Sequence, residues 1–218
     1  MLHEKIEELK HDIISYAQHV EEMLFKSMDG LVSRKIEELT TVIEVDEPVA
    51  NEREIIIDDV CITLIAKYEP RAVDLRNILM ILKINNDLER MGDHAVNISE
   101  SALYLIKRSP VKPLVDLPRM SEIVTSMMKR CLSAFIESNS KEAEAICLED
   151  DKVDQLRDQI LRELITYMSA DSATIKRSVH LIRIGSNLER VADLITNICE
   201  DIIFTVEGRV AKHHHDID

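Results

Sequence analysis

The stretch Asn86–Glu100, N-D-L-E-R-M-G-D-H-A-V-N-I-S-E, returns one hundred residues later as S-N-L-E-R-V-A-D-L-I-T-N-I-C-E over Ser186–Glu200. Leu88, Glu89, Arg90, Asp93, Asn97, Ile98 and Glu100 recur without a gap at Leu188, Glu189, Arg190, Asp193, Asn197, Ile198 and Glu200. Neither copy holds a proline, and the apolar residues fall three and four apart, so both read as helix. The same register extends back to lay Tyr68–Glu100 over Met168–Glu200. A long helix returning at this distance means one helical unit present twice.

The rest of the chain is consistent with that unit. Ile6, Leu9, Ile13, Ala17, Val20 and Leu24 give a first helix from His3 to about Met28. Asp29-Gly30 reads as its break, and Ser33 as the cap of a shorter helix through Ile43. Pro48 suits the first turn of a third helix, with Ile55, Ile56, Val60, Ile62 and Ile65 as its apolar residues to about Lys67. After Glu69-Pro70 a fourth helix runs from near Arg71 to Lys107. Three prolines in Ser109–Pro118 mark a linker. Beyond it the pattern restarts with helices over Met120–Ser138, Lys141–Glu149 and Asp150–Met168. Asp171 or Ser172 then caps a last helix ending near Gly208. The expected organisation is all-α, two tandem, internally duplicated three-helix bundles: residues 1–108, a linker over 109–118, residues 119–208, and a disordered tail over 209–218 containing His213, His214 and His215.

Composition narrows the function classes. Four glycines, five prolines and 3% aromatic residues beside 45% hydrophobic residues favour packed helices over sheet. A formal charge of −14 argues against nucleic acid as partner and suits cations or a basic protein. Cys61, Cys131, Cys147 and Cys199 show no C-x-x-C spacing and read as small buried residues in a reducing compartment. The opening M-L-H-E-K-I-E-E-L-K is not a signal peptide, and no apolar run spans a bilayer, so the expectation is a cytoplasmic protein without membrane insertion. No phosphate-cradling glycine loop and no nucleophile elbow occurs.

Chemistry is concentrated in the repeat. On a helix Glu89, Asp93, Asn97 and Glu100 fall at about 0°, 40°, 80° and 20°, one polar stripe. Glu47/Asn51 in the first half and Asp150/Asp154 at the equivalent place in the second add pairs four apart, each able to reach one ion. Like charges so spaced cost roughly 0.2–0.5 kcal/mol per pair, a cost that a divalent or trivalent cation reverses. Carboxylate and amide oxygens suit Mg, Ca, Mn and iron better than zinc. Glu-x-x-His is absent from both copies, which disfavours a di-iron oxidase. Against the metal stands geometry: Ile81, Ile84, Leu88, Met91, Ala95 and Ile98 cluster opposite the stripe, as on any amphipathic helix with a solvated face. Spacing alone weighs the two readings about equally. His94 has Leu194 as its counterpart, so the two copies share no histidine ligand, and it reads as a surface or bundle-edge residue.

These motifs resemble a known family, the PhoU proteins, regulators of phosphate uptake. The resemblance rests on Leu82–Ile98, Ile65–Arg76 (with P-x-x-x-D-L-R), Asn187–Glu200, Asp150–Asp154 and Val206–Arg209. It implies two similar three-helix bundles, often a homodimer, with multinuclear metal clusters on surface carboxylates, iron above all, with Zn, Mn or Mg as alternatives. The ligands so implied are Glu47, Asn51, Glu89, Asp93, Asp150, Asp154, Glu189 and Asp193, with Asn97, Glu100, Asn197 and Glu200 as further ligands. The resemblance also implies a non-enzymatic adaptor that restrains a phosphate ABC transporter, through its ATPase, and a sensor histidine kinase. The alternatives are a PhoU-like regulator of another transporter and a carboxylate-bridged metalloenzyme.

Overall fold

The structure is a computed structural model that describes residues 2–208 and the pairs Ala211–Lys212 and His215–Asp216. His213, His214 and most of the expected disordered tail lie outside the described residues. Among the described residues there are eight α-helices: α1 (Leu2–Val32), α2 (Ile36–Thr41), α3 (Glu47–Tyr68), α4 (Val73–Ile106), α5 (Asp116–Glu137), α6 (Ser140–Cys147), α7 (Asp150–Ala170) and α8 (Ile175–Glu207). The two-residue strands Ala211–Lys212 and His215–Asp216 pair antiparallel. The fold is all-α, with α1, α3 and α4 forming one three-helix unit and α5, α7 and α8 its repeat.

Helix α1 buries the stripe read from the sequence, Ile6, Leu9, Ile13, Ala17, Val20 and Leu24. It does not break at Asp29-Gly30. Gly30 is buried inside the helix, and a Cβ there would stand 2.6 Å from Leu39 Cδ2. The glycine lets α2 approach closely. Ser33 does not cap α2: its hydroxyl donates to Asp29 Oδ1 at 2.9 Å, closing the end of α1, and Arg34 then turns the chain at φ 55°.

The second and third helices are one run. A π-helical turn over Val42–Asp46 joins α2 to α3, and Pro48 sits in the first turn of α3 without a break before it. Helix α3 buries Ala50, Ile57, Cys61 and Leu64. Ile55, Ile56 and Ile62, three of the apolar residues from which this helix is read, are exposed. The helix is apolar on both sides, so periodicity does not choose a face.

In the second half α5 begins at Asp116, which draws Leu117 and Pro118 out of the expected linker. It ends on Ser138 at φ 52°, and Asn139 caps α6 by accepting from the Glu142 N–H at 3.1 Å. Asp171 caps a 3₁₀ turn, Ser172–Thr174, that leads into α8.

Helices α4 and α8 lie antiparallel at the centre of the molecule. Lys83 reaches Asp201 at 2.6 Å, the His94 ring pairs with the Asn187 side chain at 2.8 Å, and Tyr104 stacks on His180 with centroids 4.0 Å apart. His94 is therefore a half-buried residue of the seam between the halves, not of the bundle edge. The six apolar residues of α4 from Ile81 to Ile98 opposite the stripe are all buried. Cys61, Cys131 and Cys199 are buried, Cys147 is half-buried, and all four are free thiols.

Candidate metal centre

The second stripe is the more crowded. Asp150 stands at the first position of α7, one turn before Asp154, and Glu189 and Asp193 face them from α8. Burial, then the neighbouring charges of Asp193, Asp154 and Glu189, pushes the Asp150 carboxyl up to about 6. Glu189 is raised by burial and then by Asp193, and Asp193 by burial and then by Asp154. Each carboxylate thus disfavours ionisation of the others. Asp150 Oδ1 is buried with no hydrogen-bond partner. The cation already present is Arg157, whose Nη2 lies 3.7 Å from Asp154 and 3.8 Å from Glu189, while its Nη1 lies 3.2 Å from Asp158.

The first stripe is sparser. Glu89 is half-buried, and burial, then Asp93 and Glu54, raises its carboxyl. Glu54 on α3 is itself raised by burial and by Asp58. Beneath them the Tyr16 hydroxyl is buried without a partner, and burial, then Glu89, Glu54 and Asp93, raises its pKa. The one-hundred-residue register puts Glu54 opposite Asp154 and Ala50 opposite Asp150, and Ala50 packs beside Gly92. Glu47 and Asn51 are therefore not the structural counterparts of Asp150 and Asp154. They share a face with Glu54, within about 60° on the helix, on the turns before it.

The outer residues of the stripes differ in setting. Asn97 donates its side-chain amide to the Asp93 carbonyl at 2.9 Å, leaving its own carbonyl as an acceptor. Glu100 and Asn197 are exposed. Glu200 is half-buried and lies toward α6: the Cys147 thiol there is raised by its contact with Cys199 and by burial, and then by the charge of Glu200.

Oxygen donors, an orphaned buried carboxylate oxygen and mutually raised carboxyls fit a hard cation between α7 and α8. Among the described residues no three His, Cys, Asp or Glu side chains already converge on one point. Closure around an ion therefore requires side-chain rotation and displacement of Arg157. Sequence reasoning missed Arg157, Glu54 and Tyr16; extending the repeat register back to Glu54 and Asp154 finds the second of these.

The family model of the PhoU domain matches residues 13–102 and again residues 117–202. The chain belongs to the PhoU family. It is 40% identical, over 98% of its length and 96% of the relative's, to the phosphate-specific transport system accessory protein PhoU homolog of Aquifex aeolicus. It is 34% identical to the PhoU accessory protein of Escherichia coli, covering 96% of this chain and 86% of that one. The crystal structure of PhoU from Pseudomonas aeruginosa superposes with a TM-score of 0.92 at 29% identity, covering 95% of this chain and all of that one. The two PhoU domains coincide with the two helical units, so the duplication seen in the stripes is a duplication of the PhoU domain. No helix among the described residues is long and apolar enough to cross a membrane.

Proposed function

We propose that this protein is a cytoplasmic accessory regulator of phosphate transport that binds metal on its duplicated carboxylate stripes and carries out no catalysis. The observation that supports the transport role is likeness, over nearly the whole chain, to accessory proteins of phosphate-specific transport. In this reading it restrains the transporter's ATPase and a sensor histidine kinase when phosphate is plentiful, acting as a homodimeric adaptor. The net charge of −14 favours basic surfaces on those partners.

The metal reading rests on the crowding at Asp150. Asp150, Asp154, Glu189 and Asp193 would hold the ion, with Asn197 and Glu200 at the margin. Glu89, Asp93 and Glu54, with Asn97, Glu100, Glu47 and Asn51 along the same stripe, would hold a weaker one. A bound divalent or trivalent ion, iron being the first candidate, supplies positive charge that offsets the mutual repulsion of the carboxylates and ties α7 to α8. Ala50 in place of a second acid leaves the first site with less charge to offset.

Elemental analysis of the untagged protein tests this beside the doubles Glu89→Ala/Asp93→Ala and Glu189→Ala/Asp193→Ala. Metal in the native chain, mostly lost in the second double and partly in the first, is the expected result. Negligible metal in all three leaves the stripes as solvated faces. Phosphate uptake by phosphate-replete cells tests the regulatory role separately: loss of the protein should raise it, and unchanged uptake would overturn that role.

A further inference from the structure

Basic residues gather at one end of the central helix pair, in a chain with 41 acidic and 27 basic residues. An open cleft of about 360 Å³ lies between the end of α4 and the start of α8, lined by Tyr104, Arg108, Ser109, Ala173, Lys176 and Arg177. The Arg108 guanidinium lies 3.6 Å over one face of the Tyr104 ring, His180 stacks on that ring, and the Lys176 ammonium is 5.3 Å from its centroid. Arg34 holds the carbonyls of Ile106 and Arg108 at the edge of the cleft. Arg177 Nη1 donates to the Ser109 carbonyl at 2.8 Å and to its hydroxyl at 3.2 Å, which leaves the Ser109 proton free to donate. Among the described residues no carboxylate ion-pairs with Arg108, Lys176 or Arg177, although acids outnumber bases along the chain. The first turn of α8 also carries no acid to offset the positive end of the helix.

Duplication does not explain the cleft. In the repeat register Lys176 has a basic counterpart, Arg76, but Tyr104, Arg108, Arg177 and His180 correspond to Phe204, Gly208, Asn77 and Met80. At that other end of the pair Thr205 instead donates to the Met80 sulfur at 3.2 Å. The basic cluster belongs to one end only.

We propose that this cleft binds a small phosphoryl anion. Two guanidinium groups, fixed by donations to the Tyr104, Ser109 and Ala173 carbonyls, and the exposed ammonium beside them present three positive charges to the cleft, and a dianion gains more from three cations than a carboxylate does. Serine hydroxyl and aromatic edge complete a lining with no competing negative charge. Two sources share this chemistry. One is soluble phosphate or pyrophosphate. The other is a phospholipid headgroup, because an apolar cavity of about 330 Å³ lined by Leu31, Leu105, Ile106 and Leu181 also reaches Ser109. The site is separate from the acidic stripes and does not depend on metal there. A bound anion also has an internal reporter. The His180 pKa is lowered by burial and then by Arg183, Lys176 and Arg108, and its Nδ1 is buried without a partner. A dianion over these cations should raise it again.

Chelator-treated full-length protein is titrated with inorganic phosphate and with pyrophosphate by calorimetry and by NMR of the His180 imidazole. A parallel arm sediments it with phosphatidylcholine vesicles with and without phosphatidic acid. Arg108 and Arg177 also hold carbonyls, so Lys176→Gln, which removes charge from an exposed side chain, is the main variant. Arg108→Gln follows, with circular dichroism as the check on folding. Binding from either source that weakens roughly tenfold or more in Lys176→Gln, with a raised His180 pKa when occupied, supports the site, and the arm that binds names the source. Absence of binding in both arms, or equal binding by Lys176→Gln, overturns it.

Discussion

At the scale of single residues, identical letters play different parts in this chain. Gly30 and Gly92 are both buried within helices, where glycine costs about 1 kcal/mol relative to alanine. At Gly30 an added Cβ would stand 2.6 Å from Leu39 Cδ2 and 2.7 Å from Leu39 Cγ, in a leucine that is fully buried. At Gly92 the nearest atom, Met23 Cε, would be 3.7 Å away, an ordinary contact. Gly30→Ala should therefore destabilise by about 1–3 kcal/mol through overpacking. Gly92→Ala should be neutral or stabilise by up to about 1 kcal/mol, as the alanine at 192 in the other copy anticipates. Urea unfolding of the two variants reads the difference, and equal effects would refute it. The sequence marked Gly30 as a break because Asp-Gly commonly ends helices. The approach of Leu39, nine residues on, is a tertiary fact that no local pattern carries.

Among the elements, the long stripes of α1, α4 and α8 were legible because burial on one side imposes a clean 3.6-residue period. Helix α3 was not, since apolar residues surround it and its packed face is set by α1 and α4. The π turn before it was equally invisible: it has no composition of its own and is held from outside. Lys26 on α1 donates to Asp46 Oδ2 at 3.0 Å, and the His19 ring donates to the Asp46 carbonyl at 2.9 Å. The Asp46 side chain is 9% exposed and that of Lys26 24%, so this ion pair is shielded more than a surface one. Asp46→Ala should lower stability by about 0.5–2 kcal/mol, because it removes the more buried of two partners of Lys26, which keeps Glu22 at 3.1 Å. Lys26→Met, which keeps the apolar stem but leaves the more buried Asp46 carboxylate without its cation, should cost more. Thermal unfolding of both variants tests the order. A smaller loss in Lys26→Met than in Asp46→Ala would mean that the turn does not depend on Lys26 to neutralise Asp46.

For the whole molecule, the repeat revealed two units but not how they meet. A duplicated sequence suggests two copies that fold alike and apart. The seam is built instead from residues the copies do not share: His94 against Asn187, Tyr104 against His180, and Lys83 against Asp201. These pairs run the length of α4 and α8, so each unit's longest helix is also half of the interface. Cutting the chain at the linker would strip α4 of α8 along that length and expose apolar surface worth roughly 25 cal/mol per Å². The candidate site chemistry was legible to the same degree. Glu89, Asp93, Glu189, Asp193 and the Asp150/Asp154 pair stood out by repetition. Arg157, which pairs with Asp154 and Glu189, carried no pattern. If the seam governs folding, the full chain should unfold in one transition whose calorimetric and van't Hoff enthalpies agree. Residues 1–108 alone should associate or unfold at a lower temperature than the same segment does within the full chain. Two resolved transitions in scanning calorimetry, or a monomeric first unit as stable as the whole, would mean that the halves are independent domains and that the seam is a docking contact.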